Sequence, residues 1–224
     1  MAHMGFGLGA MQAWLGDART TFHANMQTLD DLDTAIGDGD HGTNMARGFD
    51  AAVTVDFVMN NTPKLALRQI GMQLLGTIGG ASGALYGTFF LTMSASWPSE
   101  LSAATLAHAF GSARDAVQAR GRAEIGDKTM VDSLDAAVRS LSSESSDAST
   151  ADALSRAADA AKEAAEATRD MLARRGRAAL LGERSVGHVD PGAASIALLF
   201  EITARQAAFL SANNDAPQTP GDHS

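Results

Sequence analysis

The sequence predicts an all-α protein folded as a single domain. Apolar residues recur at helical spacing along most of the 224-residue chain, and no segment convincingly shows the alternating pattern of a strand. Alanine is abundant and aromatic residues make up only 5% of the chain, which is typical of tightly packed helices. We therefore expect an up-and-down, antiparallel bundle or barrel of eight helices.

Eight segments carry the helical pattern. In the first, apolar residues from Leu8 to Met26 recur at spacings of three, four or seven. Pro63 suits the first turn of a later helix, and Pro191 likewise precedes one. The other seven predicted helices are Thr43–Val58, Pro63–Gly76, Ser82–Trp97, Ala103–Ala119, Thr129–Leu141, Ala151–Arg174 and Gly192–Ala212.

The predicted domain covers residues 5–212. Residues 1–4, Met-Ala-His-Met, are expected to be an expression remnant, and the polar tail 213–224 is expected to be disordered. The polar stretch Ser142–Thr150 is interpreted as a connection between helices, because helical patterns continue on both sides of it.

Composition excludes several classes of function. The formal net charge of -9 argues against nucleic acid as a partner. The absence of cysteine excludes disulfides and thiolate chemistry, and it is compatible with the cytoplasm. Gln69–Ser99 carries no formal charge, but Gly76–Gly83 divides it into two pieces that are each too short to span a bilayer. We expect neither a membrane partner nor a signal peptide.

The glycines cluster between the predicted helices. In an up-and-down bundle, alternate connections lie at the same end, and the glycine-rich connections are alternate ones. One end of the bundle is therefore expected to carry the functional site. The segments concerned are Gly37–Gly42, Gly76–Gly83, Gly121–Gly126 and Gly176–Gly187, followed by Gly192.

Three carboxylates, Asp33, Asp38 and Asp40, fall within eight residues of one glycine-rich segment. Such hard oxygen ligands suit Mg²⁺ or Ca²⁺. An EF-hand loop that started at Asp38 would need an acidic ligand where Phe49 stands, so Mg²⁺ together with phosphate is favoured. The alternative is a helix start capped by Asp40 or Thr43, with the other aspartates solvated.

Two further motifs suit phosphate binding. "GGASG" places glycines and Ser82 before a helix, whose free N–H groups could bind phosphate, although small residues also suit a close helix crossing. Arg174, Arg175, Arg177 and Arg184 form a basic stretch that suits phosphate contact or simple solvation. His41 could be a phosphate contact, a phosphocarrier or a helix-start residue. Asp190, before Pro191, suits a helix cap.

Four motifs together resemble one family. "LDTAIGDGDHGTNMARGF", "GGASGALYG", "GDKTMVDSL" and "GRAALLGERSVGHVDPGAAS" are similar to the L subunit of dihydroxyacetone kinase, its nucleotide-binding part. The resemblance covers about Leu8 to Leu210, and it implies an antiparallel eight-helix barrel.

The resemblance also implies the site residues. Asp33, Asp38 and Asp40 would hold two Mg²⁺ ions that bridge the phosphates of ADP or ATP, and Met130 would lie against the base. No catalytic residue is assigned. The implied nucleotide-binding residues are His41, Gly42, Thr43, Asn44, Ala81, Ser82, Gly121, Met130, Arg177, Asp190, Pro191 and Gly192.

By resemblance, the chain is a cytoplasmic kinase subunit that passes a phosphoryl group to a short ketose carried by a K subunit. The donor would be an M-type phosphocarrier of the phosphotransferase system, which rephosphorylates bound ADP. A homodimer is a further expectation. Three alternatives stay open: an ATP-dependent kinase subunit for another short ketose, a non-catalytic nucleotide-sensing module, and a helical scaffold with a structural Mg²⁺.

Overall fold

The computed structural model describes residues 6–214, and all the regular elements of this range are helical. The range contains nine α-helices and two short 3₁₀ segments, Thr168–Asp170 and Ala178–Ser185. The α-helices are α1 Leu8–Ala24, α2 Met26–Ile36, α3 His41–Ala52, α4 Pro63–Thr77, α5 Gly80–Ser96, α6 Ala103–Gly121, α7 Met130–Ser142, α8 Thr150–Ala167 and α9 Pro191–Asn214. The predicted all-α class is confirmed.

The helices form a closed ring. From α3 to α9 each helix packs beside the next one in the chain, and α9 returns to pack on both α1 and α2. Because α1 and α2 both lie between α9 and α3, they together fill one of eight positions. The predicted first helix is interrupted at Asn25, whose side-chain amide donates to the carbonyl of Thr21 at 2.9 Å. Such local side-chain bonds compete with the helical ladder.

Two predicted helices are shorter in the structure. The helix predicted to reach Val58 ends at Ala52, and the carboxylate of Asp56 accepts the amides of Val58 and Met59 at 2.8 and 3.2 Å. The helix predicted to reach Arg174 ends at Ala167 and continues as one 3₁₀ turn. In both places the chain turns early, which leaves a longer connection than the apolar pattern predicts.

Aromatic rings and alanines fill the barrel in different ways. Phe22 and Phe49 stack at a centroid distance of 4.6 Å, and Phe110 lies 4.8 Å from Phe200. On α8 the buried face is instead a stripe of alanines, which allows α7 and α9 to approach α8 closely. The stripe consists of Ala153, Ala157, Ala161 and Ala165.

The termini bear on two predictions. Helix α9 continues to Asn214, two residues beyond the predicted domain end at 212. The predicted expression remnant, 1–4, and residues 215–224 of the predicted tail lie outside the described residues. Among residues 6–214, only α9 is long and apolar enough to span a membrane, but half of that stretch is buried in the protein, as in an ordinary core helix.

Candidate functional site

One end of the barrel holds a cavity of about 450 Å³. The connections α2–α3, α4–α5, α6–α7 and α8–α9 all contribute to its wall, together with the first turns of α3, α5, α7 and α9. The glycine-rich segments therefore meet at one end of the barrel, as predicted. The volume lies within the range of small-molecule sites.

The three carboxylates meet at this cavity. One ligand oxygen from each of Asp33, Asp38 and Asp40 lies within 4.8 Å of the others. Asp33 belongs to the last turn of α2, and its Oδ2 accepts the backbone N–H of Asp40 at 3.0 Å. This bond folds the connection back on the helix. A cluster of partly exposed carboxylate oxygens is a donor set that fits Mg²⁺.

A basic side chain already contacts the cluster. The guanidinium of Arg177 pairs with the carboxylate of Asp38, and both side chains are substantially exposed. The neighbouring Arg175 reaches back to Asp127 at 3.1 Å and also lines the cavity. The basic stretch is therefore only partly solvated, because two of its arginines pair with acidic side chains.

The start of α3 is not capped as the helix-cap alternative predicts. Asp40 occupies the N-cap position but its side chain caps no amide; instead Asp30 accepts the amide and the hydroxyl of Thr43 at 2.9 and 2.7 Å. Gly42 packs on α2 so closely that a Cβ would overlap the carbonyl oxygen of Met26. The structure therefore does not bring Gly42 and Thr43 into the cavity wall.

His41 and Asn44 do line the cavity. The imidazole of His41 is buried, with Nε2 2.9 Å from Ser195 Oγ and Nδ1 3.4 Å from Ser82 Oγ. Burial lowers the pKa of His41, against the opposing influence of the nearby aspartates. The amide oxygen of Asn44 accepts a hydrogen bond from Arg47.

The "GGASG" segment both lines the cavity and packs closely against the preceding turn. Gly79, Gly80, Ala81 and Ser82 line the cavity at the start of α5, and among the described residues no side chain caps that helix start. A Cβ at Gly83 would overlap the carbonyl oxygen of Ile78, so this glycine is required for close packing. The unpaired amides of such a helix start favour an anion.

Lys128, to which the sequence pattern assigns no role, lies on the α6–α7 connection and is almost fully buried. Its ammonium donates to the carbonyls of Thr168 and Met171 at 2.8 and 3.2 Å, and also to the carbonyl of His188. Burial lowers the pKa of Lys128. The residue ties the α6–α7 connection to the α8–α9 connection, and its φ of 63° is a left-handed conformation.

The remaining predicted residues, Gly121, Met130, Asp190, Pro191 and Gly192, also line the cavity. Asp190 caps α9, as predicted, because its Oδ2 accepts the amide of Ala193 at 2.7 Å. Burial raises the pKa of Asp190 to about 7, and the carboxylates of Asp132 and Asp33 act in the same direction.

The raised pKa of Asp190 gives a pH-dependent stability. The folded state binds this proton more tightly than the unfolded chain, so stability is lost as the pH rises from about 4 towards and through 7. In Asp190→Asn we expect the pH-dependent fall in the free energy of unfolding to be smaller by roughly 1–2 kcal/mol. This figure allows for the partial exposure of Asp190. Thermal unfolding of ligand-free protein between pH 5 and 8 measures it, and parallel pH profiles for the two proteins would contradict it.

A match to the sequence model of one family identifies the family of this chain. The model described as "DAK2 domain" matches residues 35–205, which include Asp38, Asp40 and the start of α9. The chain belongs to the DAK2-domain family. This DAK2 domain matches proteins of known function along most of its length.

Two curated relatives are 40% identical to this DAK2 domain. One is the "PTS-dependent dihydroxyacetone kinase, ADP-binding subunit DhaL" of Lactococcus lactis, with 84% of this chain and 92% of the relative covered. The other is the "PEP-dependent dihydroxyacetone kinase, ADP-binding subunit DhaL" of Escherichia coli, with 85% and 93% covered. The predicted family resemblance is confirmed.

Solved structures share the fold. The dihydroxyacetone kinase of C. freundii in complex with AMP-PNP and Mg²⁺ superposes with a TM-score of 0.65 at 25% identity. That match covers 87% of this chain and 33% of the other, so the DAK2 domain spans about a third of that kinase. The native form gives a TM-score of 0.68 at 24% identity, with 92% and 36% covered.

Proposed function

We propose that this DAK2 domain is the nucleotide-binding subunit of a kinase for dihydroxyacetone or a related short ketose. The observation that carries the proposal is the cluster of Asp33, Asp38 and Asp40, whose ligand oxygens lie within 4.8 Å of one another at a cavity ringed by helix starts. The two relatives described above are named as ADP-binding subunits of such kinases, which supports the same function for this chain.

In this proposal residues 5–212 form the nucleotide-binding domain. Asp33, Asp38 and Asp40 hold two Mg²⁺ ions, which offset the negative charge on the phosphoryl group when bound. Ser82 and His41 lie on the phosphate side, and Met130 lies against the base. The proposed nucleotide-binding residues are those of the predicted set that line the cavity: His41, Asn44, Ala81, Ser82, Gly121, Met130, Arg177, Asp190, Pro191 and Gly192.

The residues of this chain would act mainly by position and charge. The uncapped start of α5 directs amide groups at an anion, and Arg177 can leave Asp38 for a phosphate oxygen. Phosphoryl transfer needs donor and acceptor oxygens that are nearly in line, and it needs little covalent chemistry from the protein. We assign no catalytic base to this chain.

The acceptor ketose is proposed to arrive on a K-type subunit, and the phosphoryl group on an M-type phosphocarrier of the phosphotransferase system. Both partners would meet the cavity end of the barrel, where the phosphates are reachable. Such alternating contacts favour a transient interface of modest area. We place this assembly in the cytoplasm. A homodimer stays a prediction.

We expect the purified chain alone not to phosphorylate free dihydroxyacetone, even with Mg²⁺ and ATP. All the polar groups assigned above serve the metal and the nucleotide, so an acceptor site must come from another protein. The measurement is ketose phosphate formed by the chain with and without a K-type subunit, with the K-type subunit alone as the control. Robust turnover by the chain alone would make it a self-sufficient kinase and overturn the subunit assignment.

A further inference from the structure

The two ring nitrogens of His41 contact different helices. Nε2 lies 2.9 Å from Ser195 Oγ on α9, and Nδ1 lies 3.4 Å from Ser82 Oγ on α5. A neutral imidazole carries its proton on one nitrogen and a lone pair on the other. The position of that proton therefore decides whether His41 presents a donor or an acceptor towards Ser82 and the cavity.

Ser195 decides the position of the proton, because its single hydroxyl hydrogen has only one compatible use. Ser195 is fully buried and lies 2.9 Å from the carbonyl oxygen of Gly192, which can only accept a hydrogen bond. The hydroxyl of Tyr86 lies 2.6 Å from Ser195 Oγ, and burial raises the pKa of Tyr86, so the phenol keeps its proton and donates it. The remaining lone pair of Ser195 then faces His41 Nε2, which must donate.

We infer that Ser195 and Tyr86 are positioning residues that hold His41 as its Nε2–H tautomer, with the Nδ1 lone pair turned towards Ser82. The inference rests on the proposed function, because the nucleotide site gives this orientation a purpose. His41 then accepts the hydroxyl hydrogen of Ser82 and cannot, while neutral, donate to a phosphate oxygen. Of the interpretations open for His41, direct donation to phosphate is replaced by orientation of Ser82.

The hydrogen-bond chain also joins three of the cavity's helix starts. His41 is the first residue of α3, Ser82 lies in the first turn of α5, and Ser195 lies at the beginning of the second turn of α9. Tyr86 stands one turn beyond Ser82 on α5 and is 1% exposed. A buried polar network in which every member is satisfied rigidifies its surroundings. The network therefore sets the relative placement of the groups around the cavity before a ligand binds.

The test is the tautomer of His41, read by NMR of the full chain with ¹⁵N-labelled histidine at pH ~8, where an ordinary histidine is neutral. The chain has six histidines, and His41→Gln identifies the signal. We expect a protonated Nε2 and an unprotonated Nδ1 in the wild type, and a mixture of tautomers in Ser195→Ala and Tyr86→Phe. The Kd for Mg·ADP should rise roughly 5- to 10-fold in both variants, as for loss of one neutral hydrogen bond.

Ser133→Ala is the matched control. Ser133 is also a fully buried serine that donates to a helix carbonyl, that of Ala161 at 2.7 Å, but it does not line the cavity. In Ser133→Ala we expect the tautomer signal of His41 and the Kd for Mg·ADP to equal those of the wild type. If Ser195→Ala does not fold, the tautomer of His41 in the wild type and in Tyr86→Phe still tests the inference. Tyr86→Phe loses only one hydroxyl.

Two outcomes separate this inference from the proposed function. A wild-type His41 with its proton on Nδ1, or a tautomer unchanged in both variants, overturns the inference even if Mg·ADP binds. The expected tautomer and its loss in the variants, with no binding of Mg·ADP by the wild type, would support the positioning network and refute the proposed function.

Discussion

Asp40→Asn is expected to abolish binding of Mg·ADP while the helical barrel stays folded. Its carboxylate is one of three whose oxygens lie within 4.8 Å of one another, and a neutral amide is a much weaker ligand for Mg²⁺. We expect the Kd for Mg·ADP to rise at least ~100-fold, or ~2.7 kcal/mol, and Asp38→Asn to behave alike. Titration calorimetry measures the affinity.

Thermal unfolding of the metal-free protein provides the second readout. Removing one of three clustered like charges relieves repulsion, so the midpoint of Asp40→Asn should stay level or rise slightly. The backbone bond from Asp40 to Asp33 does not involve the substituted side chain. Asp31→Asn on α2 is the control, because it makes the same change of charge on an exposed residue outside the cavity. Unchanged affinity in both cluster variants would eliminate the metal assignment.

Lys128→Met is expected to produce the largest loss of stability. Methionine keeps an apolar stem but removes the ammonium donor from the carbonyl groups of Thr168, Met171 and His188. The carbonyl of Thr168 still accepts the amide of Met171 at 3.1 Å, so the loss falls mainly on the other two. We expect the free energy of unfolding to fall by roughly 3 kcal/mol, because buried polar groups are costly to leave unpaired. For a chain of this size the unfolding midpoint should fall by about 6–12 °C.

The same substitution should weaken nucleotide binding, since Lys128 holds two of the connections that form the cavity. Lys64→Met is the matched control: Lys64 is an exposed lysine on α4, and its loss should change neither stability nor affinity. Chemical or thermal denaturation with and without Mg·ADP measures both effects. A variant that unfolds like the wild type would mean that the three carbonyls find other donors, and that Lys128 is not the tie between the connections.

Much of the helical ring was predictable because the sequence signals for its helices and connections are local. Apolar residues at helical spacing mark the helices, and glycine-rich connections mark the end that carries the cavity. The early end of α3 was not predictable from that pattern, because the turn is held by the side chain of Asp56. The break at Asn25 has the same kind of origin, in one side-chain amide bonded to a carbonyl four residues earlier.

The residues of the site likewise include some that the sequence predicts and some that it does not. Residue type and spacing predict a role for the aspartates, the glycines and Ser82, and the structure brings most of them to one cavity. Lys128 and Ser195 acquire their significance from partners 40 and 154 residues away in the chain. The amide and hydroxyl of Thr43 both donate to Asp30, 13 residues earlier in the chain. Contacts of this kind carry no local signal in the sequence.

Closure of the ring has a consequence for folding kinetics. The seam between α9 and the first helices joins residues far apart in the chain, as in the bond from Trp14 to Thr203, which spans 189 residues. Contacts at such separation form only after a large loop has been closed, so the seam is expected to form late. The cavity is built from both sides of this seam, with Asp33 and His41 on one side and Asp190 on the other. A ligand that binds there holds the two ends of the chain together, and it slows the opening of the barrel at the place where the barrel closes last.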